Sequence, residues 1–510
     1  MKGKKRNIGN SIPRFIFVGL SILFQLGWLV LTALTLNEHY AWVEIGTRLF
    51  SLLVILQMNS KQSNAAFKIP WIMLIMAFPV MGLSLYLMLV IFGDMGSTGK
   101  RMKNIRAQIR DRLTDSGCTP EQVLQQDFSG GSISAYLQNH MGCGVYRNTA
   151  ARYFGYGADA LSCMKADLEK AESFIFMEYF IISPDSSFVE LAEILIRKAR
   201  QGVDVRLMYD DIGSVRVNPQ FARHLAEAGI RCQAFNPAIP VLNLFMNHRD
   251  HRKITLIDGK VGYTGGYNLS DEYFGRTKPY GIWKDTGLRL EGEGVQALTS
   301  VFLEMWNTCS RQGEPVDAFL NISHRVEADG YVQPYEDNPL GSERVAENVY
   351  LNLIYSARES LYVITPYLII TDEMTNALAL AAKRGVDVRI ITPGIPDKKT
   401  VYAVTRSYYA GLARQGVRIF EYTPGFCHAK QMLCDGITAS IGTSNLDYRS
   451  LYLHFENNVL LYGGEAVKDM TADFEEMFVQ SREVTAEYRS GRSAALRMGQ
   501  YILRLFAPLM

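Results

Sequence analysis

The sequence predicts an α/β protein with two similar domains that are related by a pseudo-two-fold axis and preceded by N-terminal transmembrane helices. Three observations lead to this fold class. Long uncharged runs occur near the N-terminus, and downstream of them one plan of segments occurs twice. Within each copy, strand-like runs alternate with helix-like runs. Alternation predicts an α/β sandwich in each copy, and duplication predicts a two-fold relation between the copies.

The N-terminal region, residues 1–95, contains the predicted membrane spans. Residues 15–36 and 69–92 are uncharged, and each run exceeds the roughly 20 residues with which a helix crosses a bilayer. The run 42–58 between them is shorter and has two charged residues near its start, which predicts either a third span or an interfacial helix. The region therefore contains two or three transmembrane helices.

Basic residues flank this region on both sides. The chain begins MKGKKR, and a basic linker of cytoplasmic type, 96–140, follows the last uncharged run. Cytoplasmic segments of membrane proteins are enriched in Lys and Arg, so both flanks are predicted inside the cell. Two spans satisfy both signals, whereas three would violate one. A cleaved signal peptide is disfavoured because no small-residue cleavage pattern follows the first run.

Composition excludes several functional classes. Apolar residues make up 48% of the 510 and charged residues only 20%, which is rich in apolar content for a purely soluble protein. The net charge is +2, so no general basic field favours nucleic acid as a partner. Seven cysteines are scattered singly without a C-x-x-C pair, which fits neither a disulfide framework nor a zinc site.

The repeated plan defines two domains, 141–330 and 331–488. Each copy has a β-rich run, AESFIFMEYFII in the first and RESLYVITPYLI in the second. Each then has a helical stretch that a glycine closes before another strand, in ARQGVDVRLMYDD and AKRGVDVRIITPG. The remaining residues, 489–510, place four arginines among apolar residues and predict a C-terminal amphipathic helix on an anionic membrane surface. A core-packing terminal helix is the alternative.

One motif recurs with its polar residues and two glycines retained at the same spacing. HRKITLIDGKVGYTGGYN and HAKQMLCDGITASIGTSN both follow the template H-x-K-x4-D-x6-G-x2-N. Its members are His251, Lys253, Asp258 and Asn268 in the first copy, and His428, Lys430, Asp435 and Asn445 in the second. On an extended segment, the histidine and lysine of each copy point to the same side.

These residues are suited to displacement at a phosphodiester. An imidazole can act as nucleophile or proton donor, and an ammonium group can neutralise a phosphoryl oxygen. Two such sets meeting across a two-fold axis supply a nucleophile on one side of the phosphorus and an acid on the other. Lysine and amide donors neutralise the charge, so no metal or other cofactor is required.

The other repeated polar residues have more than one interpretation. Asp258 and Asp435 each precede a glycine, which suits a hairpin turn as well as direct chemistry. The two asparagines follow small-residue turns that suit either phosphate contact or tight turning. Asp285 and Glu456 are acidic at equivalent positions and are predicted to orient the histidines through their second ring nitrogens, with exposed carboxylates as the alternative.

At these motifs the chain resembles the phospholipase D superfamily, whose hallmark is two copies of the HKD motif, and within it bacterial cardiolipin synthases. The resemblance extends over nearly the whole chain, from WIMLIMAFPVMGLSLY to SNLDYRSLYLHFENN. It implies two phospholipase D-like domains and a multi-pass protein of the bacterial cell membrane. It also implies phosphatidylglycerol as substrate, and cardiolipin with glycerol as products, formed through a phosphatidyl-histidine.

The resemblance implies His251 as nucleophile and His428 as acid and then base, although the sequence leaves the reverse assignment open. A departure from the motif is Cys434 beside Asp435, which is expected to pack rather than react. The same residues would serve a hydrolase using water or a phosphatidylserine synthase using serine. A membrane-tethered nuclease would need a basic groove, which the charge balance disfavours. Oligomeric state is not predicted.

Overall fold

The computed structural model describes residues 12–39, 41–61, 64–92, 96–113, 116–126, 128–238, 244–310, 313–490, 499, 503–505 and 507–509. The basic N-terminus and most of the predicted C-terminal helix, 489–510, lie outside the described residues.

Four helices form the N-terminal region: α1 (Ile12–His39), α2 (Ala41–Ser60), α3 (Ala65–Ala77) and α4 (Pro79–Phe92). Over the described residues, the structure contains no helix with both the length and the apolar character needed to cross a membrane. The predicted spans 15–36 and 42–58 fall within α1 and α2, and their membrane crossing is not confirmed.

The prediction of one continuous span at 69–92 is wrong, because the segment is divided between α3 and α4. Pro79 has no backbone N–H and disfavours helical geometry at the residue before it. Phe78, with φ −136° and ψ 76°, accordingly leaves the helical region. The prediction rested on composition and did not weigh this Phe-Pro step.

Helices also form much of the predicted basic linker: α5 (Gly96–Arg110), α6 (Pro120–Gln126) and α7 (Phe128–Met141). Helix α5 packs against α11 (Val295–Cys309) of the first half. Arg106 Nε donates to Glu304 Oε2 on α11 at 2.8 Å, so part of the basic character is used in contacts with the domains.

The first half contains a seven-stranded mixed sheet in the order β1-β9-β7-β6-β2-β3-β4. Its elements are β1 (Thr149–Phe154), α8 (Gly157–Leu168), β2 (Phe174–Tyr179), α9 (Ser186–Arg200), β3 (Asp204–Asp210), α10 (Pro219–Glu227), β4 (Arg231–Phe235), a 3-10 helix (Leu244–Asn247), β5 (Arg249–Asp250), β6 (Lys253–Ile257), β7 (Val261–Gly265), a 3-10 helix (Asp271–Phe274), β8 (Ile282–Lys284), β9 (Gly287–Gly292) and α11 (Val295–Cys309).

The second half repeats this strand order as β10-β17-β16-β15-β11-β12-β13, with β18 added at the edge. After a 3-10 helix (Asp317–Phe319), its elements are β10 (Tyr331–Asp337), α12 (Val345–Ser356), β11 (Ser360–Ile364), α13 (Asp372–Lys383), β12 (Asp387–Pro393), α14 (Lys399–Arg414), β13 (Arg418–Tyr422), β14 (Gly425–Cys427), β15 (Gln431–Cys434), β16 (Thr438–Gly442), α15 (Tyr448–Tyr452), β17 (His454–Tyr462), α16 (Glu465–Gln480), β18 (Ser481–Glu483) and α17 (Thr485–Arg489); a 3-10 helix (Ala507–Leu509) follows. The α/β class is confirmed, and the two sheets match as the duplicated sequence predicts.

The two halves share one hydrophobic core. Ile254 and Leu288 of the first half belong to the same buried cluster as Ile391, Leu433 and Val459 of the second. Central strands such as β2 and β17 are buried along their whole length because helices or the other half cover both faces. This shared core fixes the position of one half against the other. Cys434 is 1% exposed within a neighbouring core cluster, which confirms its predicted packing.

Candidate active site

Each histidine of the repeated motif lies between two short strands. His251 follows β5 and precedes β6, while His428 is followed by Ala429, Lys430 and then β15, and is preceded by β14. Strand β5 pairs with β17 of the second half, and β14 pairs with β8 of the first half. Both histidines are therefore held where a strand of one half meets a strand of the other.

This cross-pairing determines which carboxylate reaches which histidine. The His251 N–H donates to the carbonyl of Phe455 at 2.9 Å, and the His428 N–H donates to that of Lys284 at 2.7 Å. Glu456 and Asp285 are the next residues along those two strands. Each histidine is thus placed beside the acidic residue of the opposite half.

The side chain of each histidine also contacts the carboxylate of the opposite half. His251 Nδ1 lies 3.0 and 2.9 Å from the two carboxylate oxygens of Glu456, and His428 Nδ1 lies 2.7 Å from Asp285 Oδ2. Both carboxylates are fully buried. This reciprocity is the arrangement that a two-fold relation between the halves produces. The sequence predicted carboxylates of this kind but not that they would be exchanged.

Both histidines line one cavity of about 1110 Å³. Asn268 and Asn445 lie on its walls, so the structure brings together both histidines and both asparagines of the motif. Four cationic side chains also line it, namely Arg216, Arg249, Lys398 and Arg449, together with five carboxylates, namely Asp185, Asp271, Glu272, Asp397 and Asp447. The cations and the two asparagines supply donors for the oxygens of a phosphodiester.

The two lysines lie beneath the histidines and are buried. Lys253 donates to the carbonyl of His251, and Lys430 donates to that of His428. Lys430 Nζ also lies 2.8 Å from His428 Nδ1, a contact that has no counterpart at His251 among the described hydrogen bonds. His428 Nδ1 therefore has two competing partners, Asp285 and Lys430.

Burial lowers the pKa of both lysines and of both histidines. It lowers the pKa of Lys253 to about 7 and that of Lys430 to about 8, because a charged ammonium is poorly solvated there. Burial, together with the charge of Lys430, lowers the pKa of His428 to about 4. Burial and Lys253 likewise lower the pKa of His251 well below its ordinary value. Both imidazoles are therefore neutral at neutral pH in the free protein.

Asp258 and Asp435 do not line the cavity. Each has a φ of 52° in a tight turn before a glycine. Asp258 accepts hydrogen bonds from the N–H groups of residues 172–174, and Asp435 from those of residues 358–360. This geometry favours the turn interpretation over direct chemistry, since each aspartate joins its turn to the start of a central strand.

The sequence analysis did not identify the aromatic rings that pack against the two histidines, or a third histidine that lies beside His251. The His251 ring packs against Phe180 and His454, with centroids 4.9 and 5.4 Å away. The His428 ring packs against Tyr273 and Trp283 at 5.3 and 5.5 Å. His454 and Trp283 occupy equivalent positions two residues before the orienting carboxylates, so alignment of the repeats contained this signal.

One group in the described part of the chain could hold a metal ion. His251, His454 and Glu456 offer ligand atoms within 4.8 Å of one another. Positive charge surrounds this group, however. Burial lowers the pKa of His454, and the charges of Arg449, Lys253 and Arg249 lower it further. The same field opposes a bound cation and favours an anion.

Comparison with known proteins assigns this architecture to a family. A family model described as "Cardiolipin synthase, PLD-like domain" matches residues 164–306 and 350–478. An uncharacterized protein of Streptococcus mutans is 39% identical over 461 residues, covering 89% of this chain and 99% of its own. Cardiolipin synthase 2 of Bacillus cereus is 34% identical over 447 residues, covering 86% of each chain.

A solved structure has a similar fold. Phosphatidylserine synthase of Haemophilus influenzae superposes with a TM-score of 0.53 at 15% sequence identity, covering 74% of this chain and 98% of that one. At that identity the likeness concerns the fold alone.

Proposed function

The chain belongs to the cardiolipin synthase family of phospholipase D-like proteins, and from that premise we propose that it joins two phosphatidylglycerol molecules into cardiolipin and glycerol. The observation that carries this proposal is the pair of exchanged histidine–carboxylate contacts at one cavity that both histidines line. They supply two imidazoles, one for each side of a phosphorus atom. The activity proceeds through a phosphatidyl-histidine intermediate.

In the first step, His251 Nε2 attacks the phosphorus of one phosphatidylglycerol. The N–P bond forms as the bond from phosphorus to the glycerol oxygen breaks, and His428 gives its proton to the departing glycerol. In the second step, His428 accepts the proton of a glycerol hydroxyl on another phosphatidylglycerol. That oxygen attacks the phosphorus, the N–P bond breaks, and cardiolipin forms.

The hydrogen bonds support this division of roles. His251 Nδ1 faces both oxygens of Glu456 at 3.0 and 2.9 Å, so a proton on Nδ1 has a carboxylate to accept it. A proton on Nδ1 leaves the Nε2 lone pair free to attack. His428 Nδ1 can instead accept from Lys430, which leaves a proton on Nε2. As that proton passes to the leaving oxygen, Lys430 gives its own proton to Nδ1, so His428 stays neutral.

The lysines provide the charge that the reaction requires. Lys253 and Lys430 lie within interaction range of both histidines, and a bound phosphodiester adds one negative charge to their surroundings. That charge raises the pKa of both lysines, so the substrate itself favours a protonated Lys430, which supplies the proton that replaces the one His428 gives up. The chemistry then needs no metal, because the lysines supply the positive charge. It needs no nucleotide, because the number of phosphodiester bonds is conserved.

We also propose that the enzyme works at the bacterial cell membrane, with the N-terminal region 1–95 in contact with the bilayer. Its lipid partners are phosphatidylglycerol and cardiolipin, and nucleic acid is not a partner. Residues 141–330 and 331–488 act as the two domains of one catalytic unit. Their shared core and exchanged contacts support this division.

The test is the lipid product of the purified full-length protein with phosphatidylglycerol in mixed micelles, separated by chromatography and identified by mass. We expect cardiolipin and glycerol in equal amounts, with phosphatidic acid minor. The proposal is wrong if phosphatidic acid dominates at high phosphatidylglycerol density, or if cardiolipin forms only with added CDP-diacylglycerol. Excess glycerol should convert cardiolipin back to phosphatidylglycerol.

A further inference from the structure

Helices α3 and α4 fold back on each other around Phe78. The rings of Trp71 and Tyr86 are 5.6 Å apart, although a straight helix would separate these positions by about 22 Å. A Cβ atom on Gly82 would lie 2.8 Å from Ile75 Cα, so the two arms approach at backbone distance there. The segment is therefore a tight helical hairpin.

Beyond its base, the exposed large side chains that the structure describes on the hairpin are apolar and lie on the α3 arm and at the tip. No charged residue occurs from 69 to 92. Ile75 and Leu83 are buried against Val54 and Met58 of α2, which holds the hairpin in place. Residues on the outside are largely exposed: Ile69 by 46%, Met73 by 50%, Met76 by 70% and Phe78 by 57%.

The turn itself is suited to an apolar environment. Unbonded backbone groups are costly in hydrocarbon. The Phe78 N–H donates to the Leu74 carbonyl at 2.9 Å, and the Gly82 N–H donates to the Phe78 carbonyl at 2.7 Å. Pro79 has no N–H to satisfy. The break is limited to one residue, so the tip leaves few donors unbonded.

Both arms of the hairpin contact the catalytic domains beside the cavity. At the start of α3, Asn64 donates to the Tyr452 hydroxyl at 3.0 Å, and Phe67 packs on the Tyr452 ring at 5.3 Å. Tyr452 belongs to α15, which also carries Arg449 on the cavity wall. The other arm, α4, contacts the 3-10 helix 244–247, whose Met246 lines the same cavity.

We propose that the α3–α4 hairpin is a re-entrant membrane element, entering the bilayer from the side of the catalytic domains and returning to that side. Each arm has 13 or 14 residues and is about 20 Å long, short of the roughly 30 Å hydrocarbon core. The exposed side of α3 and the tip contact lipid hydrocarbon rather than a protein partner, because no charged residue interrupts 69–92 and the nearby lysines lie only at the base.

Charge at the base supports the same placement. Lys61 and Lys68 lie at the start of the hairpin, and Lys100 and Lys103 follow its end. Lysines at both ends suit anionic headgroups of one leaflet. This inference rests on the proposed function in one respect: the hairpin would hold the cavity mouth at the surface, where the phosphatidylglycerol headgroup enters while its acyl chains stay in the membrane.

Cysteine accessibility in the full-length chain tests the topology without using enzyme activity. Single substitutions Ser60→Cys, Phe78→Cys and Lys100→Cys are treated with a membrane-impermeant maleimide in spheroplasts and in inverted vesicles, with the parent chain as background. We expect Ser60→Cys and Lys100→Cys to react from the same side, and Phe78→Cys to react only after detergent is added. Reaction of the two flanking cysteines from opposite sides, or of Phe78→Cys in intact membranes, would overturn the proposal.

A charge at the tip tests its importance for catalysis. Phe78→Asp should lower cardiolipin formation from bilayer phosphatidylglycerol at least about tenfold, since an aspartate is costly in hydrocarbon. The matched Phe78→Leu variant should keep near-parent activity. Both variants should form cardiolipin at the parent rate from a short-chain, water-soluble phosphatidylglycerol. If the proposed function itself is wrong, the parent enzyme will form no cardiolipin either, which distinguishes the two failures. Equal bilayer activity of the two variants would overturn a role for insertion.

Discussion

His251 and His428 occupy equivalent places in two sheets with the same strand order, yet their rings have different neighbours. Within the described part of the chain, Glu456 is the hydrogen-bond partner of His251 Nδ1, and His454 lies beside the ring. His428 Nδ1 lies between Asp285 and Lys430, with Trp283 beside the ring. The difference teaches that two sheets of the same strand order carry different side chains at a few positions beside the histidines, and in the proposed mechanism these positions separate a nucleophile from an acid.

The largest expected effect comes from removing either histidine. His251→Ala and His428→Ala should each lower the rate of cardiolipin formation ~10³-fold or more, because each imidazole serves one side of the same displacement. His140→Ala, at an exposed position outside the cavity, is the matched control and should retain full activity. Near-full activity of either cavity variant would exclude the paired mechanism.

Trapping the intermediate sharpens the comparison. Acid quenching of the parent enzyme with labelled phosphatidylglycerol, followed by peptide mapping, should place the phosphoryl group on His251 only. A label on His428 would reverse the two roles, and a label on Cys434 or on a serine would point to a different nucleophile.

The carboxylates should differ in importance. Glu456→Gln removes the only carboxylate on His251 Nδ1 in the described structure and should cost about 10² to 10⁴ in rate. Asp285→Asn should cost about tenfold less, because Lys430 remains in contact with His428 Nδ1. The measurement is kcat/KM for both variants in the same micelles. A larger loss for Asp285→Asn would contradict the proposed tautomers.

The pKa values of the two lysines predict that activity falls as the pH rises. Since kcat/KM reports the free enzyme, it should fall as pH rises through about 7 and 8, where Lys253 and Lys430 lose their protons. The positively charged forms are present below these values and absent above them. In Lys253→Met the activity is lower, and its remaining decline should centre near pH 8. A decline that stays centred near 7 in this variant would assign it to another group.

Substituting the rings that pack against His251 and His428 should lower the rate less than the changes above. His454→Asn should lower kcat less than about fivefold, because neither nitrogen of His454 has a hydrogen-bond partner among the described residues. Trp283→Ala should cost more, since that ring packs on both His428 and Tyr273. A loss at His454→Asn comparable with that at His251→Ala would add a third histidine to the mechanism.

The smallest effect is expected from chelation. EDTA should leave the initial rate unchanged, because the lysines supply the cationic charge and positive charge surrounds the one candidate cation group. Inactivation by EDTA that one specific divalent ion reverses would contradict this. Mild stimulation by several ions would not, since ions also alter the packing of anionic lipid.

Local sequence patterns predicted the repeat and the residues that meet in the cavity. The strand-like runs around residues 171–182 and 358–369 became β2 and β11 at the centres of matching sheets. Asp258 and Asp435 were readable as turn residues from the glycine after each. These features depend on a few adjacent residues, so their signal is local.

The exchange of carboxylates was not readable in this way. Glu456 is 205 residues from His251, and Asp285 is 143 from His428. Their meeting depends on pairing of β5 with β17 and of β8 with β14, strands of only two or three residues on one side of each pair. No periodicity in so short a strand specifies its partner. The shared core between the halves determines the pairing.

The exchanged carboxylates also bear on how such a chain could arise. An ancestral single copy would have carried a histidine and an acidic residue that could not reach each other within one polypeptide. Such a copy would have been active only when two identical subunits associated, each orienting the other's imidazole. Fusion of the two genes would then have freed the copies to diverge, so that Trp283 and His454 now stand at positions that a homodimer would have been obliged to keep identical.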